Sequence, residues 1–196
     1  MVEDEVVIRV IAAADDFADW FGLHALLQTS FAFMAGRIDP PSSLNRIDAE
    51  DLARKAAGET LIIASDDATQ LVGCAFAQAR AQTMPIGKLA VGAEHRGDGI
   101  ARRIIEVVEE LGRSLNCESL ELETRIELTE NYQSFAALGF SKIGESSHPG
   151  FQRPTSIRTR KLLGPRSTSR RQLWERVGGV SVAEIVAGNS WQCRHP

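Results

Sequence analysis

Between Lys88 and Ile105 the chain passes from an apolar run, Lys88-Leu89-Ala90-Val91, through a glycine-dense turn ending Arg96-Gly97-Asp98-Gly99, into Ile100-Ala101-Arg102-Arg103. Glycines at 97 and 99 let the backbone approach a ligand without Cβ collisions. The first N–H groups of the helix expected after the turn lack intrahelical partners, and its macrodipole makes that end partly positive. No acidic side chain occupies the first turn, so the segment suits a phosphate or pyrophosphate. It is not a P-loop, because no Gly-Lys-Ser/Thr follows, and Arg102 stands where the dinucleotide fingerprint requires its third glycine.

Such a turn needs a strand to deliver it and a helix to leave it. Ile86 to Val91 reads as the strand, and Ile100, Ile104, Val108, Leu111 and Leu115 mark one apolar face of the helix. Arg103, Glu106, Glu110 and Arg113 fall on the opposite, polar face. Upstream, Val6 to Ile11 is β-branched and strand-like. Asp15 or Asp16 is placed to cap a densely apolar, buried helix through Phe17, Trp20, Phe21, Leu23, Leu26, Leu27 and Phe31, closed by Gly36 and Pro40-Pro41. Asp48 caps a short helix near Leu52 to Ala57, and Thr60 to Ser65 and Leu71 to Arg80 form a hairpin. Downstream, Leu120, Leu122 and Thr124 alternate with Glu121 and Glu123 as a strand. Glu130 to Leu138 reads as a short helix closed by Gly139, and Phe140 to Ile143 with Ile157 to Leu163 as a last hairpin. The order is β-α-α-β-β-β-α-β-α-β-β, with no internal repeat.

At 196 residues, 43% hydrophobic and 24% charged, the chain has the make-up of one well-cored domain. No apolar run has the length of a membrane span, and the acidic start Met1-Val2-Glu3-Asp4-Glu5 does not read as a signal peptide. Cys74, Cys117 and Cys193 are widely spaced without a metal-ligand pattern, so no metal and a reducing, cytoplasmic home are expected. Charge is uneven: residues 1–163 carry a net −7 and residues 164–196 a net +3. An acidic domain disfavours nucleic acid and mildly favours a cationic or amine substrate. The last 33 residues open as a linker, Gly164-Pro165-Arg166-Ser167-Thr168-Ser169-Arg170-Arg171, and read as a basic extension, mobile or docked, to a domain spanning 1–163.

Arg96-Gly97-Asp98-Gly99-Ile100-Ala101 fits Arg/Gln-x-x-Gly-x-Gly/Ala, and Phe135-Ala136-Ala137-Leu138-Gly139-Phe140 follows some forty residues later. In that order and at that separation the two motifs resemble the signatures of the GNAT N-acetyltransferase superfamily, over roughly residues 5 to 163. The resemblance implies an α/β (α+β) fold, a mixed, twisted central sheet of about seven strands flanked by helices on both faces. It implies that acetyl-CoA, the acyl donor, is held by the strand at Leu89, Ala90 and Val91 and by the loop Arg96, Gly97, Asp98, Gly99, Ile100 and Ala101, with Arg102 and Arg103 near the phosphates. Asn131 and Phe135 are the further cofactor contacts it suggests.

The implied reaction is transfer of an acetyl group to a primary amine, on a small molecule or a peptide, by direct attack. An amine of ordinary pKa near 10.4 must lose a proton first. Glu123, on the strand beside the expected splay, is the preferred base, with Glu94 and His148 as weaker candidates. The family's usual acid, a tyrosine, would fall at position 135, where this chain has Phe135; Tyr132, one helical turn earlier, is the alternative source of a hydroxyl. The acceptor is expected between the Phe17–Pro41 region and the 144–156 hairpin, with Phe31 and Phe33 on one side and Arg153 on the other. Two other readings compete: a non-catalytic acyl-CoA-binding regulatory module, and an interaction protein recruiting a partner through its basic tail. No nucleic-acid or membrane partner is expected, and a homodimer is left open.

Overall fold

The computed structural model describes residues 6–11, 17–66 and 70–164. Its strands are β1 (Val7–Ile11), β2 (Thr60–Ser65), β3 (Leu71–Ala77), β4 (Thr83–Val91), β5 (Ser119–Arg125), β6 (Ser141–Ser146) and β7 (Ser156–Leu162). The helices are α1 (Trp20–Phe31), α2 (Ala49–Ala56), α3 (Ile100–Ser114) and α4 (Thr129–Ala137). One seven-stranded sheet runs in the order β1-β2-β3-β4-β5-β7-β6. Every neighbouring pair is antiparallel except β4 and β5, whose parallel pairing is bridged by α3. The mixed sheet and the order of elements agree with the expectation; the extension from residue 165 onward lies outside the described residues.

Two apolar layers sandwich the sheet. On one face Leu61, Ile63, Cys74 and Phe76 pack under Leu23 and Leu27 of α1 and Leu52 of α2. On the other, Ile62, Ala64, Ala75, Met84, Leu120 and Leu122 pack under Ile100, Ile104, Val108 and Leu111 of α3. All six residues of β2 are buried, which explains its unbroken Leu-Ile-Ile-Ala run: a strand covered on both faces has no solvent side to alternate toward.

Three details depart from the sequence reading. The α1 cap is Asp19, whose carboxylate accepts the Gly22 N–H at 2.9 Å, whereas Asp15 and Asp16 lie outside the described residues. Phe21 is 83% exposed, because at 3.6 residues per turn it stands about 200° around α1 from Leu23. Glu110, expected on the polar face of α3, is buried beside Glu109. Arg113 joins both carboxylates, at 2.6 and 3.0 Å, and the Lys161 ammonium of β7 reaches Glu109 at 2.5 Å. Buried carboxylates require such partners.

Candidate active site

The cleft is made by a strand pairing that stops short. β4 and β5 are in register from Thr83↔Ser119 to Ile86↔Leu122, although β4 runs on to Val91 and β5 to Arg125. Within β4 the register with β3 shifts between Cys74 and Phe76, and Lys88 adopts φ +51°. That left-handed kink in a non-glycine residue turns β4 away from β5 while Ala90 and Val91 stay paired with β3. Beyond Ile86 the β5-facing edge of β4 has no strand partner, and it opens onto a cleft of about 1020 Å³.

At one end of the cleft lies the glycine turn. Gly97 and Gly99 have φ of +99° and +76°, and a Cβ on either would meet nothing within 4 Å. Gly99 is the N-cap of α3, no side chain caps the helix, and its first turn holds no acidic residue. The unpartnered N–H groups thus face open space suited to an anion. Leu89, Ala90, Val91, Arg96, Gly97, Gly99, Ile100, Ala101, Asn131 and Phe135 all line the cleft. Asp98 does not; its carboxylate faces His95 Nδ1 at 3.7 Å. Arg102 lines the cleft, whereas Arg103 donates to the Val6 carbonyl at 2.6 Å. The Arg96 guanidinium donates to the Ser30 carbonyl at 3.0 Å and lies 5.5 Å from the Phe33 ring centroid, tying the turn to the end of α1.

Glu123 occupies the opposite wall. Leu120 and Leu122 face α3, so the alternation of β5 sends Glu121, Glu123 and Arg125 to the other face. Glu123 lines the cleft and accepts from Ser146 Oγ at 2.7 Å. His148 also lines it, held between Arg125 Nη1 at 3.2 Å and Thr155 Oγ1 at 2.6 Å. Glu94 and Tyr132 are not among the lining residues, although Tyr132 shares α4 with Asn131 and Phe135. Phe31 and Phe33 are there as expected, but Arg153 is not: it pairs with Asp39 at 2.8 Å and stacks over Phe151. The sequence reading missed Arg37, Arg125 and His95, all in the cleft wall. His95 adjoins Arg96 and Arg125 follows Glu123 by two residues, whereas Arg37 has no motif residue near it in the sequence. Among the described residues no group of three or more His, Cys, Asp and Glu could hold a metal ion, and no helix is long and apolar enough to cross a membrane.

Solved structures share this architecture. An acetyltransferase of the GNAT family from Staphylococcus aureus superposes with a TM-score of 0.60 at 14% identity, over 81% of this chain and 100% of that one. The ribosomal-protein-S18-alanine N-acetyltransferase from Escherichia coli gives 0.61 at 13%, over 84% and 97%. A chimera built on the spermidine N-acetyltransferase of Vibrio cholerae gives 0.59 at 19%, over 81% and 95%. At these identities the likeness is one of fold, and no curated protein matches in sequence. Residues 20–140, however, match the acetyltransferase (GNAT) family, a segment that contains the glycine turn, the splayed strands and α4. The chain belongs to the GNAT acetyltransferase family, whose co-substrate is acetyl-CoA.

Proposed function

We propose that this protein transfers the acetyl group of acetyl-CoA to a primary amine by direct attack, with Glu123 as the general base. The observation that carries the reading is the position of Glu123 across the cleft from the open edge of β4 and the uncapped start of α3. Leu89, Ala90 and Val91 offer backbone groups to the amides of the pantetheine arm, as an added strand would. The Gly97 and Gly99 turn takes the pyrophosphate, assisted by Arg102. Asn131 and Phe135 contact the arm from the α4 side. A backbone N–H of the β4 edge stabilises the carbonyl oxygen as charge develops on it.

The acceptor must arrive protonated at neutral pH, and Glu123, directly or through one water, removes that proton. Ser146 Oγ, at 2.7 Å, fixes the carboxylate from one side and leaves its second oxygen for the amine. Acetyl-CoA supplies an activated thioester whose leaving group is a thiolate. Thiols have ordinary pKa values of about 8.5, so departure makes little demand on an acid. That accounts for Phe135 in place of a tyrosine: solvent returns the proton, and no role for Tyr132 is required.

Glu123→Gln tests the assignment. It should lower kcat by about 10²-fold or more, with acetyl-CoA affinity nearly unchanged by calorimetry. Unaltered turnover would remove Glu123 from the mechanism. A chain that binds acetyl-CoA but releases no thiol with any amine would instead be the non-catalytic module.

A further inference from the structure

The chain is acidic overall, with a net charge of −4, yet the ionisable side chains around the cleft are mainly basic. Most of these cations have evident employment. Arg96 and Arg102 stand by the glycine turn, Arg37 is paired with Glu130, and Lys88 is close to Lys55 and Glu59. Arg125 is the most loosely engaged, its one ion pair, with Glu127, being 3.8 Å long. It follows Glu123 by two residues on β5, so the two side chains leave the same face roughly 7 Å apart, and both line the cleft.

The guanidinium of Arg125 is under-used. Only 12% of its side chain is exposed; its Nε forms a 3.8 Å ion pair with Glu127 Oε2, too long for a hydrogen bond, and Nε, Nη2 and that oxygen all lack hydrogen-bond partners. Donors withdrawn from water and left unmade are costly. A planar guanidinium fork is also the natural partner of a carboxylate. Nη1 is held firmly: it can only donate, so Nε2 of His148 accepts, and the ring's proton sits on Nδ1, toward Thr155 Oγ1. Thr155 also accepts the His148 backbone N–H at 2.9 Å, so the β6–β7 connection braces the arginine. Arg153, the cation expected at the acceptor site from sequence, is already engaged by Asp39.

We propose that the acceptor carries a carboxylate beside its amine, and that Arg125 recognises it. The inference rests on the acetyltransferase reading of the same cleft. With the amine at Glu123 and the carboxylate at Arg125, the spacing suits a small amino acid. A polyamine would bring its second ammonium toward a cation.

The test compares free amino acids with their own amides, as matched acceptor pairs, by thiol release from acetyl-CoA. In parallel, N-acetylglycine and N-acetylglycinamide are titrated calorimetrically into the CoA-saturated protein. The wild type should prefer the acids about 10- to 100-fold in kcat/KM, the scale of a charge-assisted hydrogen bond. N-Acetylglycine should bind where its amide does not. Arg125→Gln should abolish both preferences, so that within the variant acids and amides have the same kcat/KM, while acetyl-CoA affinity by calorimetry reports that the protein is still folded. Arg125→Lys should keep part of the preference, which guards against a folding defect in the first variant. Equal use of acid and amide, loss of both together, or no binding or acetylation of any acid while acetyl-CoA still binds overturns the carboxylate inference alone. Failure of acetyl-CoA to bind would sink the parent reading instead.

Discussion

The guanidinium of Arg37 meets the carboxylate of Glu130 at 2.5 Å, joining the chain just after α1 to the first turn of α4. Both residues line the cleft. Arg37 also lies 5.7 Å from the Phe33 ring centroid, and Arg96 of the glycine turn 5.5 Å from the same ring. One line of contacts therefore runs from the glycine turn, through Phe33 and Arg37, to α4. Each partner of the ion pair is nearly half exposed, at 46% and 47%. A double-mutant cycle of Arg37→Ala and Glu130→Ala should accordingly show little or no coupling in unfolding. The consequence should fall on ligand binding. Either single variant should raise the KM for acetyl-CoA by about 2- to 5-fold, roughly 1 kcal/mol or less. An unchanged KM in both would show that the line of contacts does nothing for the cleft.

Gly99 combines two requirements that separate substitutions can resolve. Its φ of +76° penalises any side chain, and the space around it is open. Gly99→Ala should cost about 1–2 kcal/mol of stability through the backbone alone. It should leave acetyl-CoA binding detectable. Gly99→Glu adds a carboxylate at the uncapped start of α3, where it competes with a phosphate for the same N–H groups. Its affinity for acetyl-CoA should fall by far more than that of the alanine variant, measured by calorimetry at equal folded fraction. Equal affinities in the two variants would mean that the turn is structural and binds no anion.

The contrast between these two places shows what the sequence could reveal. Gly97, Gly99 and the periodic Ile100–Leu111 face are local signals, since backbone freedom and helical spacing are properties of adjacent residues. The turn, α3 and the lining residues that these two supply follow from them. The splay does not: it depends on Lys88 taking a left-handed conformation that sequence rarely announces in a lysine. Nor do Arg37–Glu130 or Arg125–His148, whose partners lie 93 and 23 residues apart. Arg153 was the natural candidate for the acceptor side until Asp39 was seen to hold it. Glu110, buried beside Glu109, was misread for a related reason. Periodicity marks a charged position as solvent-facing, whereas Glu110 is buried against Arg113, which also joins Lys161 of β7 in pairing Glu109.

That last cluster sets an acid limit on the fold. Burial pushes the Glu109 carboxyl up, but the Lys161 ammonium and the Arg113 guanidinium outweigh it and hold the group below its ordinary value. A carboxyl lowered in the folded state contributes stability that is fully present above its unfolded pKa, about 4.3. The contribution is lost as pH falls through the lower folded value, because the unfolded chain then binds the proton first. Lys161 also donates to the Leu138 carbonyl at 2.7 Å, so the same ammonium links α3, β7 and the C-terminal end of α4. Thermal unfolding followed from pH 7 to pH 3 should show the wild type losing stability on the acid side. In Glu109→Gln, which lacks the titrating carboxylate but leaves Arg113 its contact with Glu110, the acid slope should be shallower. The variant's cost at pH 7 should be about 1–3 kcal/mol, the worth of a charge-assisted contact left without its partner. Parallel curves for the two proteins across that range would show that Glu109 titrates alike in the folded and unfolded states, and would remove the cluster from any account of acid stability.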